Sequence, residues 1–142
     1  MAESKNITTY RTVVEEAFSK GNLSVLDRLI APNMQEHEKG VDESGGVQGL
    51  KNTIQMFRSA FPDLKFSIQD VYEIGDIVVG RLRCTGTQKG PLGDISPTNK
   101  KADVEAIDIC RMSNGQITEH WGITDRMTMM EQLGVIQQPQ QM

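Results

Sequence analysis

Residues Ala102 to Thr124 read ADVEAIDICRMSNGQITEHWGIT, two alternating runs separated by an Asn-Gly turn signal. Alternation of apolar and polar residues with a period of two marks half-buried β-strands, and Asn114-Gly115 between them marks an antiparallel hairpin. Strands are expected over Ala102–Met112 and Gln116–Thr124. A two-residue turn would set Asp108 against Trp121, whereas a three-residue loop of Ser113, Asn114 and Gly115 with a glycine bulge sets Asp108 opposite His120. The three-residue loop is preferred because it gathers Ile107, Ile109, Ile117, Trp121 and Ile123 on one face. Val104, Ala106, Asp108, Cys110, Thr118, His120, Gly122 and Thr124 then share the other. Opposed side chains in such a pair lie about 5 Å apart at Cβ, within reach for a carboxylate to orient an imidazole.

Upstream of this hairpin the pattern is first helical and then extended. Val13, Val14, Ala17 and Phe18 repeat at helical spacing over Thr8–Lys20, with Gly21 as a stop. A short second helix carries Val25, Leu26, Leu29 and Ile30 and ends at Pro32. A loop over Asn33–Gly46 follows, bearing Glu36, His37, Glu38, Asp42 and Glu43, and a third helix spans about Val47–Ala60. Leu64–Ile74 and Ile77–Thr87 read as a hairpin turning at Gly75-Asp76. Gly86–Lys101 is a Gly- and Pro-rich connection with room for a short edge strand. A closing helix is expected over Arg126–Leu133, and residues 137–142 as a disordered tail.

At 142 residues, with 37% hydrophobic and 24% charged residues, the chain suits one domain over 1–142 with a core at about 7–136. No apolar run approaches the roughly 20 residues of a spanning helix, and Met1-Ala2-Glu3-Ser4-Lys5-Asn6 lacks a secretion signal's apolar segment. A cytoplasmic protein without membrane contact is expected. A net charge of −4 argues against nucleic acid as a partner. Cys84 and Cys110 sit in apolar strand-like runs without metal-ligand spacing, so they read as buried thiols, and no metal site is expected. No phosphate loop or serine elbow is present.

Helices followed by a curved antiparallel sheet define an α+β fold with the helices on one face. With that order of elements, Phe61-Pro62-Asp63-Leu64, Pro97-Thr98, Asn114-Gly115-Gln116-Ile117, Glu119-His120-Trp121-Gly122 and Gln132-Leu133-Gly134 resemble the SnoaL-like polyketide cyclase or ester cyclase family over roughly residues 7 to 136. The resemblance implies a cone-shaped α+β barrel of the cystatin-like, nuclear-transport-factor-2-like kind, whose helices and bent sheet enclose a pocket. It also implies a homodimer through the outer sheet face, in line with the apolar set Ile107, Ile109, Trp121 and Ile123. Cyclases of the family close rings by intramolecular aldol condensation with neither metal nor organic cofactor. Their acid/base aspartate lies two residues after the last-strand histidine, where this chain has Gly122. The Gln and His they use on the neighbouring strand align with Ala106 and Asp108.

The site expected from these residues has His120 as general base, Asp108 fixing its tautomer, and His37 polarising a substrate carbonyl from the loop. Glu36, Trp121, Asp125, Phe57 and Met34 are the expected contacts to a hydrophobic small-molecule ligand. Asp125 also stands where it would cap the closing helix. Two functions remain open: a cofactor-independent cyclase, isomerase or hydratase acting on a carbonyl-bearing, polyketide-like substrate, or a non-catalytic ligand-binding protein of the same fold.

Overall fold

Ser4 opens the first helix, its Oγ accepting from the Ile7 amide at 3.1 Å, as a Ser N-cap does for the unpaired first-turn amides. In the computed structural model, which describes residues 3–137, this helix (α1, Lys5–Thr12) widens into a π-helical turn over Val13–Phe18. It begins ahead of the expected Thr8. Tyr10, Val13, Val14 and Ala17 are buried along one face. Of the tail expected over 137–142, only Gln137 falls among the described residues.

The next stretch departs from the sequence reading. The second helix is a single turn, α2 (Leu26–Leu29), after a 3-10 turn at Leu23–Val25, and the residues expected as helix end and loop form a strand, β1 (Ile30–Glu36). β1 lies at the sheet edge, parallel to the last strand. Pro32 ends no helix there, because an edge strand tolerates a residue that cannot donate to the ladder. Burial of Ile30, Ala31 and Met34 holds the strand down.

α3 (Gly46–Ala60) buries Leu50, Thr53 and Ile54. Four antiparallel strands follow, β2 (Lys65–Ile74), β3 (Ile77–Thr87), β4 (Lys101–Ser113) and β5 (Gln116–Thr124), and α4 (Arg126–Gln132) closes the fold. The strand order is β1-β5-β4-β3-β2. The sheet is thus antiparallel except for β1, and it curves without closing. Between β3 and β4 the long connection contains only a bridge between Leu92 and Ile95. The core lies on the concave side, where Ile30, Val78, Leu82, Val104 and Cys110 of the sheet meet Leu26 and Ile54 of the helices.

The final hairpin corrects the expected register. Asn114 and Gly115 have φ of 53° and 75°, and Ser113 pairs with Gln116, so the turn has two residues, each in the left-handed conformation such turns require. Further along, Arg111 pairs with Glu119 but Met112 with Ile117, which makes Thr118 the extra residue of a β-bulge. Asp108 therefore faces Gly122, and His120 faces Cys110. The bulge shifts pairing by one place and restores the face assignment of the expected loop, so Asp108 and His120 still share the inner face. Ile117 does not join the outer face: it is turned inward and buried.

Candidate active site

Asp108 stands on the concave face of β4 between two glycines, Gly80 on β3 and Gly122 on β5. With no side chains on either flank, groups from elsewhere occupy the space. A β-carbon on Gly80 would strike the Tyr10 hydroxyl and ring, and one on Gly122 would strike Oε1 of Glu38 and crowd the His120 ring. Tyr10 comes from α1, Glu38 from the loop after β1 and His120 from β5. Glycine within a strand marks such close approach.

These groups form a connected network. His120 lies two residues before Gly122 and reaches Asp108 diagonally, with Nε2 2.8 Å from Oδ1. Its Nδ1 lies 2.5 Å from Oε2 of Glu36, the residue paired with it across the parallel β1–β5 ladder. Tyr10 donates its hydroxyl to Asp108 Oδ2 at 2.8 Å, and the Glu38 amide donates to Glu36 Oε2 at 3.2 Å. The Glu38 carboxylate lies 3.5 Å from Arg126 Nη2. Beyond the network, Val14, Phe18, Leu50, Phe57, Phe66 and Leu82 line a narrow apolar cavity.

Burial works against charge on His120, but hydrogen bonds to Asp108 and Glu36, and the charges of both, outweigh it and raise the ring's pKa to about 10. At neutral pH the ring is an imidazolium that donates from both nitrogens. A second carboxylate, Glu36, takes the nitrogen that Asp108 leaves, a partner the sequence reading had not given it. Tyr10 is raised well above the ordinary phenol range, by burial first and then by Asp108, so its hydroxyl stays a donor. Glu38 is raised too, chiefly by burial, with Asp108 and Glu36 adding to the effect while the His120 charge opposes it. Burial pushes the Cys84 thiol up to about 12 and raises Cys110 well above the ordinary thiol range, which suits inert packing.

Of the residues singled out from sequence, Asp108, His120, Glu36, Met34 and Phe57 meet at the cavity. His37 and Trp121 lie elsewhere. Trp121 follows His120 and so points to the outer face, where His37 stacks on it with ring centroids 5.1 Å apart and bonds Glu119 at 2.7 Å. Asp125 caps α4, accepting from the Thr128 amide at 3.1 Å and the Thr128 hydroxyl at 2.7 Å. Tyr10 and Glu38 complete the cluster without having been singled out, and Gly80 and Gly122 are the sequence signals that could have pointed to them. Glu38, Asp108 and His120 bring ligand-type atoms within 4.8 Å of one another, yet a ring protonated on both nitrogens offers no lone pair, so a cation would first have to displace a proton.

A bent sheet backed by helices around an apolar cavity, with an imidazolium–carboxylate network on its wall, defines a small-molecule-binding α+β cone. The SnoaL-like polyketide cyclase model matches residues 8–133, and the chain belongs to that family. It is similar to a candidate polyketide cyclase from Acidithiobacillus ferrooxidans, with 31% identity, a TM-score of 0.84 and coverage of 95% of this chain and 99% of that one. TsrD from Streptomyces laurentii shares the fold at 24% identity and a TM-score of 0.85, covering 96% of this chain and 99% of that one. An NTF2-like protein from Burkholderia pseudomallei shares it at 16% identity and a TM-score of 0.73, covering 92% and 98%. Among curated proteins, none matches the chain. Among the described residues, no helix is long and apolar enough to cross a membrane.

Proposed function

We propose that this chain is a cofactor-independent enzyme that performs acid/base chemistry, namely cyclisation, isomerisation or hydration, on a hydrophobic, carbonyl-bearing, polyketide-like small molecule. The observation that carries the reading is the His120 imidazolium held between Asp108 and Glu36 on the wall of an apolar cavity. The network fixes ionisable groups beside whatever fills the cavity, as proton transfer to and from a ligand requires. Asp108 and Glu36 set the ring's position and Tyr10 anchors Asp108. The chain acts as a single domain, as a homodimer through its outer sheet face, and in the cytoplasm, where two free thiols are at home.

The test is turnover of candidate polyketide esters by wild type, His120→Ala and Asp108→Ala. Loss of about 100-fold or more in kcat/KM is expected from each variant, and unchanged turnover by both would remove the reading. A second reading, a ligand-binding protein that performs no reaction, draws on one observation: both His120 nitrogens and both Asp108 oxygens are already spent on partners within the protein. Tight stoichiometric binding without product would favour it, while product exceeding the protein concentration would dismiss it.

A further inference from the structure

Within the network at the cavity wall, hydrogen-bonding capacity is almost fully used. His120 gives both N–H groups to carboxylates, Asp108 receives from His120 and Tyr10, and Glu36 receives from His120 and the Glu38 amide. Both bonds to Glu36 fall on Oε2, which leaves Oε1 free, and Glu38 is the carboxyl of the cluster with neither oxygen engaged. Among the described residues no hydrogen bond reaches its carboxyl oxygens, and its nearest fixed charge is Arg126, 3.5 Å away. Yet the carboxyl is largely buried, lies over Gly122, lines the cavity, and has an oxygen within 4.8 Å of an Asp108 carboxylate oxygen and a His120 ring nitrogen. A carboxylate removed from water and given no donors binds a proton more strongly than one in solution, and a group so placed exchanges that proton with whatever fills the cavity.

We propose that Glu38 is the catalytic residue that takes a proton from the bound carbonyl compound and returns it, and that position 122 is glycine to admit its carboxyl. This rests on the acid/base reading above. In the step itself a Glu38 oxygen removes hydrogen from the carbon beside the carbonyl: the C–H bond breaks, an O–H bond forms, and the electron pair passes into the enolate. The same carboxyl then gives the proton back to carbon or oxygen once the new bond is made, so no oxidant or reductant is needed. Facing Glu38 are His120 of β5, Asp108 of β4, Glu36 of β1 and Arg126 of α4, with Cys84 of β3 also within its field.

A small carbon acid tests this without the natural substrate. β-Tetralone is incubated with protein in deuterated water, and loss of its α-proton signals is followed by NMR for wild type, Glu38→Gln, Glu38→Ala and Glu38→Ala/Gly122→Asp. Glu38→Gln is expected to slow exchange by about 100-fold with its melting temperature and the His120 ring signals unchanged. The double variant, which puts a carboxyl back into the same space from β5, is expected to recover at least tenfold over Glu38→Ala. In the wild type the labelled Glu38 carboxyl is expected to titrate above the ordinary carboxylate range. Exchange by Glu38→Gln at the wild-type rate, with His120→Ala impaired, would overturn the role of Glu38 and leave the acid/base reading standing. Wild-type exchange no faster than buffer would overturn both, and an ordinary Glu38 titration would overturn the proposal whatever the probe does.

Discussion

The hydroxyl of Tyr10 donates to Oδ2 of Asp108 across 2.8 Å, tying the first helix to the strand at the back of the cavity. The ring fits because Gly80, beside Asp108 on β3, has no β-carbon to meet it. Replacing Tyr10 with Phe keeps the ring and leaves one half-buried carboxylate oxygen without its donor. Such a loss costs about 1–3 kcal/mol. Tyr10→Phe is therefore expected to lower the unfolding free energy by that amount, read as a lower urea midpoint at unchanged slope, with little change in cavity shape, and a midpoint equal to wild type would show that the bond contributes nothing.

Stability should also depend on pH through His120. Burial disfavours the charged ring, but Asp108 and Glu36 more than compensate and place its folded pKa at about 10, against roughly 6.5 for a free histidine. The folded state thus holds a proton that the unfolded chain releases between these values. Its stabilisation is complete below about pH 6.5 and is lost as pH rises through about 10. Glu38, raised by burial, acts with the same sign. Chemical unfolding of wild type is expected to lose on the order of 3 kcal/mol more than His120→Gln between pH 6.5 and 10; parallel profiles would contradict a buried imidazolium.

What the sequence made legible follows from its periodicity. The period-two alternation of Val104 to Cys110 placed Asp108 inward, and Asn114-Gly115 located the turn, with strand ends at Gln116 and Thr124 as observed. The bulge at Thr118 was hidden because an extra residue in a strand leaves the composition of both faces nearly unchanged. β1 was hidden for a different reason: Pro32 and Asn33 break the strand signal, and its pairing with β5 joins residues as far apart as Glu36 and His120. Glu38 lies in a loop that no periodicity describes. Its only trace in the sequence is indirect, a glycine at position 122 within a strand.

The connection between β3 and β4 is organised around one buried amide. Gln88 has no exposed surface; its Nε2 donates to the carbonyls of Gly90, Ile95 and Ser96 at 3.2–3.3 Å, and its Oε1 accepts from the Thr98 hydroxyl at 2.8 Å and the Thr98 amide at 3.3 Å. Leucine is close in volume but can satisfy none of these groups, and water could reach only some of them after the loop opens. Gln88→Leu is expected to cost about 3 kcal/mol and to abolish hydrogen-exchange protection of the Thr98 amide. Retained protection there would show that the loop is held by other contacts.

The outer sheet face divides into two halves of opposite character. Toward one end, Arg83 pairs with Asp103 and Arg81 with Glu105. Toward the other, Ile107, Ile109 and Ile123 are 48%, 39% and 79% exposed around Trp121, next to Met127. Apolar side chains left together in water favour association, at about 25 cal/mol for each Å² covered, and α4 does not cover them. A homodimer closing over this band would bury Ile123 and shield Trp121, the only tryptophan in the chain, from solvent. Ile123→Glu is expected to convert the sedimentation of the protein from dimer to monomer and to shift tryptophan emission to the red, with the melting temperature of the monomer below that of the dimer. A wild type that sediments as a monomer at all concentrations, with the same emission as the variant, would remove the homodimer from the proposal and leave the cavity chemistry untouched.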